Sequence, residues 1–349
     1  MEQVIITSSL PKVVLHDHLD GGLRAATLLE LAEAAGYAGL PHRDPGALAA
    51  WFDQSRSGSL VRYLASFEQT VAVMQTPEAL RRVAREAVED LAADGVVYAE
   101  IRFAPSLHTR RGVGLGEAID SVLEGIAEGG AATGTVAKVI VSAMRQEDGS
   151  EEVAVAAAAG AGRGVVGFDL AGPEGGYPAS RHRRALSAAG ESGLGLTIHA
   201  GEAAGPESIA DALDCGAVRI GHGVQVIHDV VRSNGRILEL GPIAARVLEG
   251  RTPLELCPSS NVHTSAVASA ASHPLGMLHR AGFVVTVNTD NRLMSATSMG
   301  AELSLAADLL GLDGNDIRQV TMNAVEAAFC DEETRAALRR RLAGGWPPG

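Results

Sequence analysis

The sequence predicts an α/β chain folded as a (β/α)8 TIM barrel with extra helices in the first β-α connection. Three observations predict it. Eight short runs rich in β-branched residues recur between longer Ala-, Leu-, Glu- and Arg-rich stretches of helical spacing. Most of the runs are continuously apolar, which is how parallel strands covered on both faces read. Four of them lead directly into histidine or aspartate residues, and the C-terminal end of a parallel strand is where such a barrel builds its site.

The first strand is expected over residues 12–19. A long connection, 22–93, follows, with helices at 25–35, 60–74 and 77–93, and is placed near the barrel mouth as a lid. Strands at 96–103, 136–142 and 165–170 alternate with helices at 116–128 and 150–159. Strands at 194–198, 218–221, 253–257 and 283–288 complete the eight, and helices at 302–310 and 315–329 come after them. No Pro/Gly/Ser-rich linker, charge block or fixed-period repeat divides the chain, so a single barrel domain over 1–349 is expected, with a loose tail at 344–349. An open doubly wound sheet would need a Gly-rich phosphate loop after a strand; Gly160, Gly162 and Gly164 stand before one instead.

A hydrophobic content of 46% over 349 residues is enough for one large core. Lys and Arg number 29 against 42 Asp and Glu, and the resulting net charge of −13 opposes nucleic acid and anionic membranes as partners and favours small molecules. Cys215, Cys257 and Cys330 are odd in number and far apart, so no disulfide framework is expected and a reducing cytosol is the default. The first residues carry an acid, Glu2, and no basic region, unlike a signal peptide. The apolar run 153–162 is far shorter than the roughly 20 residues that span a bilayer. A cytoplasmic protein is expected.

The chemistry sits at the strand ends. His16 and His18 are two apart in a strand, so both imidazoles point to one side, roughly 6.5 to 7 Å apart, and can share a metal. His199 follows the fifth apolar run, and Glu202 lies three residues beyond it, where a carboxyl facing a closed pocket keeps its proton and acts as an acid. His222 stands between Gly221 and Gly223, and the eighth run ends near Asp290. Three histidines and an aspartate form a ligand set suited to Zn2+ with a position left for water, whose pKa the metal lowers to about 7. Residues 165–170 contain no Lys to bridge two metals, so one ion is expected. His108, His182, His228, His263, His273 and His279 read as polar surface groups, Cys257 as a small buried hydrophobe. Gly172 either offers its N–H to a ligand or simply makes a turn.

These residues, taken together, resemble the adenosine deaminase family. The resemblance is carried by Pro11-Lys12, His16-Asp17-His18-Leu19-Asp20-Gly21, Asp169-Leu170-Ala171-Gly172, His199-Ala200-Gly201-Glu202, Arg219-Ile220-Gly221-His222-Gly223, Cys257-Pro258-Ser259-Ser260-Asn261 and Asn288-Thr289-Asp290, in the family's order from about residue 11 to about 300. It implies a zinc-dependent deaminase on an amidohydrolase-type barrel, with one Zn2+ per chain held by His16, His18, His199 and Asp290. Glu202, His222 and Asp290 would form the catalytic set: Glu202 protonates purine N1, His222 orients and helps deprotonate the water, and attack at C6 expels ammonia. His18 and Asp20 would lie near the ribose 5′-hydroxyl, and the Gly172 amide would bond purine N3.

Asn291 departs from the pattern, since animal members carry a second Asp where it stands, facing purine N7. N7 only accepts, and an Asn amide always donates, so the change is compatible with a purine. Adenine-specific relatives carry Glu at the position of Asp20, so Asp20 favours a nucleoside, and the absence of a basic cluster near the motifs weighs against a 5′-phosphate. The expected partner is therefore a purine nucleoside, adenosine or 2′-deoxyadenosine. Adenine, a 5′-modified adenosine, and a different single-metal barrel hydrolase are the alternatives.

Overall fold

The computed structural model describes residues 9–55 and 60–346. Its strands are β1 (Lys12–His18), β2 (Val96–Phe103), β3 (Val136–Met144), β4 (Val165–Ala171), β5 (Gly195–Ala200), β6 (Arg219–His222), β7 (Val230–Ser233), β8 (Arg236–Leu240), β9 (Leu254–Leu256) and β10 (Val285–Val287). Eight of them pair in the order β1-β2-β3-β4-β5-β6-β9-β10, every pair parallel. Two backbone bonds join the last strand back to the first: His18 N–H donates to Asp290 O at 2.7 Å, and Asp290 N–H to His16 O at 2.9 Å. With helices outside, this is a (β/α)8 barrel, and all eight expected strands occur within a few residues of their expected ends. β7 and β8 were not expected; they form a separate antiparallel hairpin whose residues are mostly exposed.

The strands lie in apolar surroundings on both sides, and β2 is buried along its whole length. Within the barrel, however, stand charged side chains. Glu100, Arg102, Asp169, Arg219 and Glu255 are each at most 1% exposed. They neutralise one another: Glu255 accepts from Arg102 at 2.7 Å and faces Arg219 at 2.6 Å, and Arg219 also reaches Glu100 at 2.6 Å. A buried charge is tolerated only with such partners.

The long first connection holds helices, as its composition predicts, but its expected helix at 60–74 is two, Leu60–Ala65 and Phe67–Val73. The break falls at Ser66, whose hydroxyl donates to Tyr63 O at 2.7 Å and so competes with the helical ladder. Pro77–Ala93 begins as its sequence dictates, with Thr76 accepting from Ala79 N–H and Pro at the first turn. The tail expected to be loose from Gly344 is ordered at its start. The helix Glu332–Gly345 includes Gly344, and Trp346 is buried with its indole N–H on Pro11 O at 3.0 Å. An indole that fills a gap and finds an acceptor outweighs the weak helix preference of two glycines. Residues 347–349 lie outside those described. Among the described residues no helix is long and apolar enough to cross a membrane.

Candidate active site

A cavity of about 240 Å³ opens at the C-terminal ends of the strands. His18, Asp20, Gly172, His199, Glu202, His222, Asp290 and Asn291 all line it. His16 lies just beneath, fully buried. The residues singled out from the sequence thus converge on one place, although they come from five different strand ends. Tyr63, Phe67 and Val71 of the two short helices line the same cavity from above.

The four atoms expected to hold a metal lie in close pairs. His18 Nε2 and His199 Nε2 are 3.2 Å apart, and Asp290 Oδ1 is 3.4 Å from both His16 Nε2 and His18 Nε2. Zinc–nitrogen bonds of about 2.0 to 2.1 Å in a tetrahedron place neighbouring ligand atoms about 3.3 Å apart, so these spacings fit a single ion. His16 Nε2 is buried and has no hydrogen-bond partner. Burial, then the Arg102 charge, lowers the His16 pKa to about 4, and burial drives that of His18 well below its ordinary value. Both rings are therefore neutral and ready to ligate.

The ring orientations are fixed from behind. Glu255 Oε2 sits 3.0 Å from His16 Nδ1, and Asp169 Oδ1 sits 2.9 Å from His199 Nδ1. An ionised carboxylate can only accept, so each Nδ1 carries the proton and each Nε2 lone pair faces the cavity. Burial alone would raise the pKa of Glu255, but Arg102 and Arg219 hold it well below the usual range; His199 and Arg102 do the same for Asp169. These two carboxylates were not predicted as site residues. Their signal in the sequence is a charge inside an otherwise apolar strand, as in Leu254-Glu255-Leu256 and Phe168-Asp169-Leu170.

His222 and Asp290 both have left-handed backbones, φ 61° and 57°, a strained state for residues with side chains that recurs at functional sites. Beside His222, Gly221 leaves room for its neighbours: a Cβ there would lie 3.1 Å from His199 Cα and 3.2 Å from His16 Cε1. Asn261 Oδ1 accepts from Cys257 N–H at 3.2 Å, which turns its amide Nδ2 toward His222 Nδ1 at 3.0 Å. His222 Nδ1 is then an acceptor, which leaves the N–H on Nε2, facing Glu202 Oε2 3.7 Å away. Ser260 donates to Asp290 Oδ2 at 2.5 Å. Glu202 is buried, and burial raises its pKa, with the Asp290 and Glu174 charges adding to the effect and His222 opposing it.

Asp20 is buried, burial pushes its pKa up to about 7, and its Oδ1 has no partner. Asn291 Oδ1 is likewise buried and unpartnered. Gly172 has φ 98°, and a side chain there would run into Gln146, so the backbone itself forms the cavity wall. Three histidines expected at the surface are buried instead, because the loops that carry them fold over the barrel ends. His108 bonds Met74 O at 2.9 Å, His182 reaches Ser150 Oγ and Arg145 O at 2.9 Å each, and His273 Nε2 reaches Asn261 Oδ1 at 3.2 Å. Cys257 is buried and burial raises its pKa far up, as suits a small hydrophobe rather than a nucleophile.

The model of the family described as adenosine deaminase matches residues 11–344. An adenosine deaminase of Mycobacterium ulcerans (strain Agy99) is 53% identical over 335 residues, covering 94% of this chain and 92% of its own length. That of Mycobacterium tuberculosis (strain ATCC 25618 / H37Rv) is 50% identical over 335 residues with the same coverage. Among solved structures, an adenine deaminase from Arthrobacter aurescens superposes with a TM-score of 0.86 at 27% identity, covering 96% of this chain and 98% of its own. An arabidopsis N6-mAMP deaminase does so at 0.82 and 28%, covering 97% and 98%. The chain belongs to the adenosine deaminase family.

Proposed function

We propose that the protein hydrolyses adenosine and 2′-deoxyadenosine to inosine and 2′-deoxyinosine with release of ammonia, using one zinc ion per chain. The observation that carries this is the buried Glu202, whose pKa burial raises, on the same cavity as His18, His199 and Asp290, with His16 just beneath. Neutral nitrogens plus one carboxylate suit zinc, which when bound lowers the pKa of water to about 7 and so supplies a nucleophile.

The chain's own groups do the rest. Glu202 gives its proton to purine N1, which makes C6 electron-poor where water adds. With its proton on Nε2, His222 aims that water rather than helping to deprotonate it as the resemblance implies, and the Asp290 carboxylate takes the proton the water gives up. The C6–N bond then breaks. One proton from water leaves with ammonia, the other returns to Glu202, and N1 keeps the proton it received. Gly172 N–H holds N3, Asn291 Nδ2 donates to N7, and Asp20, beside His18, bonds the ribose 5′-hydroxyl. A buried carboxyl with a free oxygen at that place is satisfied by a sugar hydroxyl and left unpaired by free adenine.

The test is an absorbance assay of 6-amino to 6-oxo conversion on adenosine, 2′-deoxyadenosine, adenine, AMP and 5′-modified adenosines. Turnover is expected to be fastest on the two nucleosides. Preference for adenine or AMP would transfer the reading to that substrate, and conversion of none of them would overturn it.

A further inference from the structure

We infer that Glu174 is a positioning residue that sets the register between the loop carrying Gly172 and the loop carrying Glu202; this deepens the deaminase reading above and rests on it. Glu174 follows Gly172 by two residues and is 5% exposed. Its Oε1 accepts from Gly201 N–H at 2.8 Å and Ser208 Oγ at 2.7 Å. Its Oε2 accepts from three successive amides, Glu202 at 3.0 Å, Ala203 at 2.5 Å and Ala204 at 2.7 Å. Five donors converge on a group with about four lone-pair sites, so the carboxylate is saturated.

The same loop is held from its carbonyl side by Gln225, whose N–H donates to Gly201 O at 2.9 Å and whose Nε2 donates to Glu202 O at 3.1 Å. Arg145 faces Glu174, and burial alone would raise the carboxyl's pKa, but that charge and the donors hold it low. Arg145 also donates to Leu170 O at 3.2 Å and to His199 O, so one charged pair ties the ends of β3, β4 and β5 together.

The consequence lies in the shape of the substrate. Purine N1 and N3 flank a single carbon of a rigid ring, so the Glu202 carboxyl and the Gly172 N–H must keep a fixed separation. They are thirty residues apart in the chain and on different strands, and nothing local fixes that distance. Glu174 is nearly adjacent to one and hydrogen-bonded to the backbone of the other. Gln at this position keeps the size but turns an NH2 toward N–H donors, which pushes the two loops apart.

The experiment is Glu174→Gln in the metal-loaded full chain, read three ways: kcat on adenosine per bound metal, metal content, and affinity for 1-deazaadenosine, which lacks N1 and makes no use of Glu202. A displaced acid lowers kcat by about 10²-fold, the usual effect of a misplacement near 1 Å, with metal content and 1-deazaadenosine affinity little changed. An unchanged kcat per metal overturns the proposal. So does a loss of 1-deazaadenosine affinity as large as the loss in kcat, because that is general damage to the pocket. Should Glu174→Gln not fold, Glu174→Asp, one methylene shorter, and Ser208→Ala, one donor fewer, carry the test: kcat falls in both with metal retained, and no fall in either overturns it. Failure of the unaltered protein to deaminate any purine nucleoside is a separate result, seen without mutation, and sinks the deaminase reading itself.

Discussion

The amide of His18 donates to the carbonyl of Asp290 at 2.7 Å, so the bond that closes the barrel also sets two candidate metal ligands side by side. Register and site are one constraint here. A slip of the seam by one residue would turn His16 and His18 away from the cavity, because side chains alternate along a strand.

Removing the metal is therefore expected to loosen the seam as well as stop turnover. A metal at 100 times its dissociation constant stabilises the folded state by about 2.7 kcal/mol. Dialysis against a chelator should lower the melting temperature by several degrees and abolish activity, with zinc restoring both. Full activity in a metal-free sample would contradict the metal assignment.

Glu202→Gln separates the acid from the ligands. It retains a hydrogen bond but cannot protonate the ring, and turnover should drop by roughly 10²- to 10⁴-fold with metal content preserved. His199→Ala should lose metal and activity together. The opposite pattern would exchange the two roles.

Asp169→Asn leaves His199 in place but weakens the acceptor behind its Nδ1. Metal affinity, measured by competition with a chromophoric chelator, is expected to fall about 10- to 100-fold, and excess zinc should recover most of the activity. Unchanged affinity would mean that Asp169 serves the Arg102 charge alone.

Asp20→Ala should cost adenosine far more than adenine in kcat/KM, since only the nucleoside brings the hydroxyl that satisfies the buried carboxyl. Equal losses would place Asp20 in support of the metal site instead.

Glu302 gives a pH signature away from the chemistry. Burial pushes its pKa from 4.5 to about 7, while Ser259 N–H and Thr297 Oγ1 donate to it at 3.1 and 2.6 Å. Between pH 4.5 and 7 the folded state holds a proton that the unfolded state has released, so stability falls as pH rises through this window and the cost is complete above it. Melting temperatures of Glu302→Gln relative to the unaltered protein should climb from pH 4.5 to 7 and level off beyond. A constant difference would show that the carboxyl ionises normally.

The barrel was legible because each strand is an apolar run buried on both faces, and the residues that gather at the cavity were legible because they follow those runs directly. What escaped notice has physical reasons. The β7–β8 hairpin is mostly exposed and too polar to stand out as a strand pair. Ser66 breaks a helix through a local hydroxyl bond that composition does not reveal. Glu255 and Asp169 act through contacts with residues far away in the chain, His16 and His199, so their charges looked like oddities within a strand until the fold brought them behind the rings. Glu174 is subtler still, because its partners are backbone amides and carry no residue type to recognise.

The closing seam has a consequence for biosynthesis. Its two halves emerge from the ribosome far apart in time, His16 and His18 long before Asp290. A chain that ends before Asp290 lacks one residue of the proposed ligand set and would stay open at the seam, exposing unpaired strand edges for proteolysis to recognise.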